Sequence, residues 1–205
     1  VENQPAPGRI KILKQDELDK HVIAGVQFDI FTVGADGKPG DLVTKMTTGK
    51  DGIAESPDLF PADYFVQEHA NPTGYTDQLW SEKITVGMDE TITRTVNNMP
   101  VQGKIRIVKT DSETGKGLPG AVFTVTRISG LPSHNGENDS EIVAVITSGA
   151  DGTAETPLLT WGEYQIVETR VPDDYLDDGY SVTVRIPAEV KAEEPQTEET
   201  PDPVK

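Results

Sequence analysis

Apolar residues fall at every second position in short runs along this chain. Ile10-Lys11-Ile12, Phe28-Asp29-Ile30, Ile105-Arg106-Ile107 and Tyr164-Gln165-Ile166 all alternate in this way. A period of two sends successive side chains to opposite faces of a strand. The pattern predicts strands near 8–14, 25–33, 42–47, 52–56, 63–69, 79–86 and 91–98. A second set follows near 103–109, 120–128, 141–147, 152–156, 162–169 and 180–186. Asp36-Gly37, Asp51-Gly52 and Asp151-Gly152 supply turns between them. No segment carries a helical period, although 15–20 could close one turn. The reading is all-β: two tandem Ig-like antiparallel β-sandwiches.

The two strand sets are copies. Gly8-Arg9-Ile10-Lys11-Ile12-Leu13-Lys14-Gln15-Asp16 matches Gly103-Lys104-Ile105-Arg106-Ile107-Val108-Lys109-Thr110-Asp111 at an offset of 95 (103 − 8). Asp51-Gly52 matches Asp151-Gly152, and Tyr64 to Glu68 matches Tyr164 to Glu168, now at an offset of 100 (151 − 51). The second copy therefore holds about five more residues, most simply within the Gly-, Ser- and Asn-rich stretch 129–140. Val1-Glu2-Asn3-Gln4-Pro5 matches Val96-Asn97-Asn98-Met99-Pro100, as if the chain opened on the end of a preceding copy. The expected organisation is 1–7 as that remnant, 8–100 and 101–187 as the two units, and 188–205 as an acidic, Pro-rich linker or tail with room for a divergent last strand.

Composition narrows the function. The net charge is −17 over 205 residues, which disfavours nucleic acid and anionic membrane surfaces and favours a soluble monomer. There is no cysteine, hence no disulfide framework, no thiolate metal site and no cysteine nucleophile. No apolar run reaches the length needed to span a bilayer.

The alternation then exposes an anomaly. Lys14 shares a face with Ile10 and Ile12, Glu68 with Tyr64 and Val66, and Asn98 with Ile92 and Val96; only Arg94 interrupts the last series. Lys109 and Glu168 repeat the first two placements in the second copy. Three polar residues thus aim at one core, where an unpaired charge costs several kcal/mol. A buried Lys–Glu ion pair completed by the asparagine would meet that cost. So would strand-end positions that let lysine reach water. A third arrangement is an amide crosslink. A desolvated lysine is a neutral nucleophile able to attack the Asn98 carboxamide and expel ammonia, while a protonated Glu68 polarises the carbonyl and moves protons.

The series Gly-x-Ile-x-Ile-x-Lys-x-Asp, Gly-x-x-Phe, Asp-Gly, Tyr-x-x-x-Glu and Val-x-Asn-x-Pro resembles the Cna-B/SpaA-type, prealbumin-like domains of Gram-positive adhesins and pilins. The resemblance implies a self-made Lys–Asn isopeptide bond in each unit. In the first it falls on Lys14 and Asn98, with Glu68 as promoting acid; Asn3 would be the acceptor of the preceding repeat. In the second, Lys109 and Glu168 match. However, no asparagine follows Asn138, and the position equivalent to Asn98 is Glu198 (168 + 30). The implied role is a stalk of a cell-wall-anchored adhesin or pilus subunit, extracellular and without cofactor. Its only chemistry would be that single intramolecular event, so it is not an enzyme, and its partners would be the neighbouring repeats. The alternative is a binding module for a host matrix protein or glycan.

Other candidates are weaker. His21, His69 and His134 lack paired spacing for a metal. Asp173, Asp174, Asp177 and Asp178 lack the Gly and Glu of a calcium loop. Trp80 and Trp161, one per unit, suit core or rim better than a sugar platform. Lys83, Lys104 and Lys116 lack the Tyr-Pro-Lys setting of a pilin lysine, and no Leu-Pro-x-Thr-Gly signal occurs.

Overall fold

The computed structural model describes residues 5–130, 140–177 and 179–189. The first unit contains β1 (Arg9–Asp16), β2 (Gln27–Val33), β3 (Pro39–Thr47), β4 (Ile53–Glu55), β5 (Ala62–Glu68), β6 (Ser81–Val86) and β7 (Thr91–Asn98). The second contains β8 (Gln102–Gly103), β9 (Arg106–Val108), β10 (Val122–Gly130), β11 (Glu141–Thr147), β12 (Thr153–Glu155), β13 (Leu159–Thr160), β14 (Gly162–Arg170) and β15 (Ser181–Ile186). Among the described residues there is no helix, and the predicted turn after β1 is present at 17–19.

In the first unit a four-stranded sheet in the order β3-β2-β5-β6 faces a three-stranded sheet in the order β4-β1-β7. The core between them is built from Ile10, Ile12, Phe28, Ile30, Tyr64, Val66, Ile84, Val86 and Val96. These are the positions that the period of two turned inward. One feature lies beyond the sequence pattern. β7 runs parallel to β1, with Lys14 opposite Val96 and Asp16 opposite Asn98. A parallel pair needs a long crossover. Here the intervening chain is the rest of the sandwich.

The second unit repeats the larger sheet as β11-β10-β14-β15, around Phe123, Val125, Tyr164 and Ile166. The single strand expected over 103–109 is divided into β8, paired with β13, and β9, paired with β12. β1 stays continuous because β7 supports it along its whole length; β9 has no such neighbour among the described residues.

Shared side-chain bonds hold both copies in shape. Tyr64 donates its hydroxyl to the Phe60 carbonyl at 2.8 Å, and Tyr164 does the same to Thr160 at 2.5 Å. Both tyrosines are buried, and the bond four residues upstream pins the entry to β5 and β14. Thr48 accepts from the Val26 N–H at 2.9 Å and donates to the Ile23 carbonyl at 2.8 Å; Ser148 does both tasks in the second copy. Thr48→Val keeps the shape and strands both backbone groups in a dry site. It should cost about 1–3 kcal/mol, read as a lower urea midpoint at unchanged slope.

The units meet at a bonded junction. Tyr75 bridges to Pro100, the Val101 N–H donates to the Gly74 carbonyl at 2.8 Å, and the Trp161 N–H donates to the Val101 carbonyl at 2.9 Å. The Trp161 indole packs against both hydrophobic cores. Gly74 sits at φ +87°, and a Cβ there would fall inside the indole. Only glycine fits that approach.

Candidate functional site

Lys14 leaves β1 towards the core as the continuation of Ile10 and Ile12. Asn98 is the last residue of β7, on the neighbouring strand and two positions further on in register. Glu68 ends β5 in the opposing sheet. Local alternation points each side chain inward, and sandwich closure makes them meet. Lys14 is fully buried, Glu68 is 3% exposed and Asn98 is 4% exposed.

The three form a closed triangle. Lys14 Nζ donates to Glu68 Oε2 at 3.1 Å and is in contact with Asn98 Oδ1. Asn98 Nδ2 donates to Glu68 Oε1 at 3.1 Å. The Phe28 ring lies 5.9 Å from Nζ, and Trp80 packs edge-on to Phe28 at 6.1 Å between centroids. Loss of water pushes the Lys14 amine below its ordinary value, and the Glu68 carboxylate opposes that shift. The strand-end arrangement, in which Lys14 reaches water, is therefore not what the fold builds. The contact geometry suits either an ion pair or an amide in the making. One carboxyl touches the lysine nitrogen through one oxygen and the carboxamide nitrogen through the other. A cleft of about 340 Å³, lined in part by Trp80, Asn98 and Met99, opens beside the site.

In the second unit Lys109 Nζ donates to Glu168 Oε2 at 2.7 Å. The Glu168 side chain is fully buried, whereas that of Lys109 is 20% exposed. Glu168 Oε1, the counterpart of the atom that accepts from Asn98, is buried without a hydrogen-bond partner among the described residues. Asn3, Asn138, His134, Asp178 and Glu198 lie outside the described residues.

The remaining candidates are engaged elsewhere. Arg94, the break in the β7 pattern, pairs with Glu82 at 2.8 Å. Lys83 pairs with Asp63 and Lys104 with Glu155 on the surface. His69 meets Asp29 at 2.7 Å. His21 contacts Asp19 and the Tyr75 hydroxyl, and with Asp16 their ligand atoms lie within 4.8 Å of one another. That grouping was not foreseen, because the loop between β1 and β2 folds back only in three dimensions. Asp173 lies 3.7 Å from Arg170, and Asp177 accepts from the Gly179 N–H. Trp161, a core or rim residue by its sequence, is the joint between the units.

The model of the SpaA prealbumin-like fold domain matches this sequence twice, over residues 8–100 and 103–200. The chain belongs to the SpaA prealbumin-like family. Among solved structures, the TIE protein of Bacillus anthracis is similar at 28% identity and a TM-score of 0.69. The match covers 89% of this chain and 32% of that one, so the SpaA-type pair spans about a third of that protein. A streptococcal ancillary pilin is similar at 22% identity and a TM-score of 0.42, over 92% of this chain and 61% of that one. The shaft pilin SpaA of Lactobacillus rhamnosus GG is similar at 17% identity and a TM-score of 0.36, over 91% of this chain and 95% of that one. No curated protein matches the chain. Among the described residues no helix is long and apolar enough to cross a membrane.

Proposed function

We propose that the chain is a load-bearing stalk segment of a bacterial surface protein or pilus, its first unit locked by an amide between Lys14 and Asn98. The observation that carries this reading is the buried contact of Lys14 Nζ with both the Asn98 carboxamide and Glu68. Membership of the SpaA family and the likeness to the Bacillus anthracis TIE protein support it.

The chemistry balances within the triangle. Moving one proton from Nζ to Glu68 neutralises both buried groups. The amine then attacks Asn98 Cγ and forms the Nζ–C bond. The Glu68 carboxyl gives its proton to Nδ2, which departs as ammonia, and takes the second Nζ proton in its place. The carboxyl ends with the proton count it had at the moment of attack, so the event needs no cofactor and happens once per molecule. The bond ties the first strand to the last across 84 residues of chain (98 − 14). Because β1 and β7 are parallel neighbours, a pull entering at one and leaving at the other is carried by the amide and bypasses the hydrogen-bond ladder. This suits a segment placed outside the cell, joined end to end with its neighbouring repeats and monomeric in solution. A ligand-binding role for the Trp161 edge is less favoured, because that indole is packed into the junction.

Intact-mass spectrometry tests the bond directly: loss of ammonia should leave the chain about 17 Da lighter than its sequence requires. A peptide map should place the link between Lys14 and Asn98. An unmodified mass overturns the proposal.

A further inference from the structure

The strand end that carries Asn98 is held from two sides. The Glu17 N–H, in the turn after β1, donates to the Asn98 carbonyl at 2.9 Å. The Thr76 N–H, in the connection between β5 and β6, donates to the Met99 carbonyl at 2.9 Å. One side chain ties these two holders together. The Tyr75 hydroxyl lies 3.1 Å from His21 Nε2 and is hydrogen-bonded to Asp16, both on the β1 side. Asp16 is buried, and its Oδ1 accepts from the Leu18 and Asp19 N–H groups at 2.6 and 3.2 Å, which fixes the turn. Burial, and after it the Asp16 carboxylate, push the Tyr75 phenol above its ordinary value, so it stays a donor. The second unit builds the same tie at its surface: Tyr175 donates its hydroxyl to Asp111 Oδ2 at 2.8 Å. Tyr175 is 39% exposed, against 6% for Tyr75. The buried form is particular to the first unit. There the cleft of about 340 Å³ beside the triangle is walled by both holders, Glu17 on one and Thr76 on the other.

From this arrangement we infer that Tyr75 is a positioning residue for the Lys14–Asn98 reaction. Its hydroxyl keeps the two loops closed on the acceptor strand end, which holds the Asn98 carboxamide against Lys14 Nζ and keeps water out of the cleft. The inference rests on the chemistry proposed above, and the bonds made and broken are the ones already balanced there. Tyr75 takes no proton in them; it acts through the backbone on either side of Asn98.

The pH profile separates positioning from plain stability. The reaction needs one proton shared between Lys14 and Glu68, so its rate is bell-shaped in pH. Lys14 is faced by Glu68 from β5, by the uncharged Phe28 and Asn98 from β2 and β7, and by Asp16 two residues further along β1. Burial lowers the Lys14 amine, and Glu68 works against that shift. Water in the cleft relieves the burial. The amine then keeps its proton to higher pH, its neutral form becomes scarcer, and the alkaline limb of the profile moves up.

The full chain is recovered from inclusion bodies in denaturant, its starting mass confirming that it is unreacted. It is then refolded by dilution, and ammonia loss is followed by intact mass across a range of pH. Wild type should react to completion. Tyr75→Phe keeps the ring in the core. Its folded fraction should react roughly 10- to 100-fold more slowly, as expected of a small misplacement, with a lower maximum and an alkaline limb at higher pH. His21→Leu, which removes the partner on the β1 side, should also slow the reaction, and the double variant should slow it no further than Tyr75→Phe. Where Tyr75→Phe does not refold, His21→Leu carries the test. Tyr175→Phe, the same deletion in the second unit, should leave the rate unchanged. A Tyr75→Phe chain that reacts at the wild-type rate overturns this inference alone. So does a slower reaction whose limbs stay in place, or one that Tyr175→Phe matches, because either marks a general loss of stability. A wild-type chain that refolds and keeps its full mass overturns the underlying chemistry and this inference with it.

Discussion

Glu68→Ala is expected to be the most damaging single change in the first unit. It should restore the unmodified mass and lower that unit's melting temperature by tens of degrees. Two effects combine. Without the amide, the unfolded chain regains the freedom that closure of an 84-residue loop had removed, about 4–5 kcal/mol by analogy with disulfides. Without the carboxylate, Lys14 is left fully buried with no anion, a loss of about 3–5 kcal/mol for a broken buried pair. The two overlap, because the crosslinked lysine carries no charge. Even about 5 kcal/mol corresponds to roughly 20–40 °C in a unit of this size. Lys14→Met separates the two effects. It also forfeits the bond, but it removes the buried cation and fills the space with an apolar chain. It should therefore melt above Glu68→Ala while showing no ammonia loss. Calorimetry resolves both variants, with the second unit as internal reference. Equal melting of Glu68→Ala and wild type, or a crosslinked Glu68→Ala, removes Glu68 from the chemistry.

The second large effect lies at the junction. Gly74→Ala should uncouple the two units without unfolding either core. The residue holds φ +87°, where a side chain costs about 1–2 kcal/mol, and its Cβ would displace the Trp161 indole. Moving that indole exposes the apolar surface it covers on both cores and disturbs the Val101 bonds on either side. In a Trp80→Phe background Trp161 is the only tryptophan, so its emission should shift to longer wavelength. Small-angle scattering should show a broader distribution of interunit distances. Trp161→Ala should reproduce the loosening. The double variant should fall well short of additivity, because both changes break the same contact. Unchanged emission and scattering in Gly74→Ala would mean that the indole does not hold the joint.

Much of the site is legible in the sequence. Lys14, Glu68 and Asn98 stood out because each lies on the apolar face of an alternating strand, and alternation fixes a side chain's face with no knowledge of the partner. Arg94 broke that pattern, and its reason was not legible: Glu82 is 12 residues away on β6, and only the sandwich brings the two together. The cleavage of 103–109 into β8 and β9 was missed for a similar reason. The sequence of this segment is nearly that of β1, but continuity depends on the neighbour that β7 supplies.

Most of the strands, the tandem repeat, the family and the inward set of polar residues are legible in the sequence. All of these follow from local period and from the similarity of one stretch to another. Only the assembled sandwich shows that the polar set touches atom to atom, that β7 lies parallel to β1, that Trp161 joins two cores, and that one buried Glu168 oxygen has no partner among the described residues. Those outcomes depend on strand order and register between segments far apart in the chain. That is long-range pairing, which a period of two leaves open.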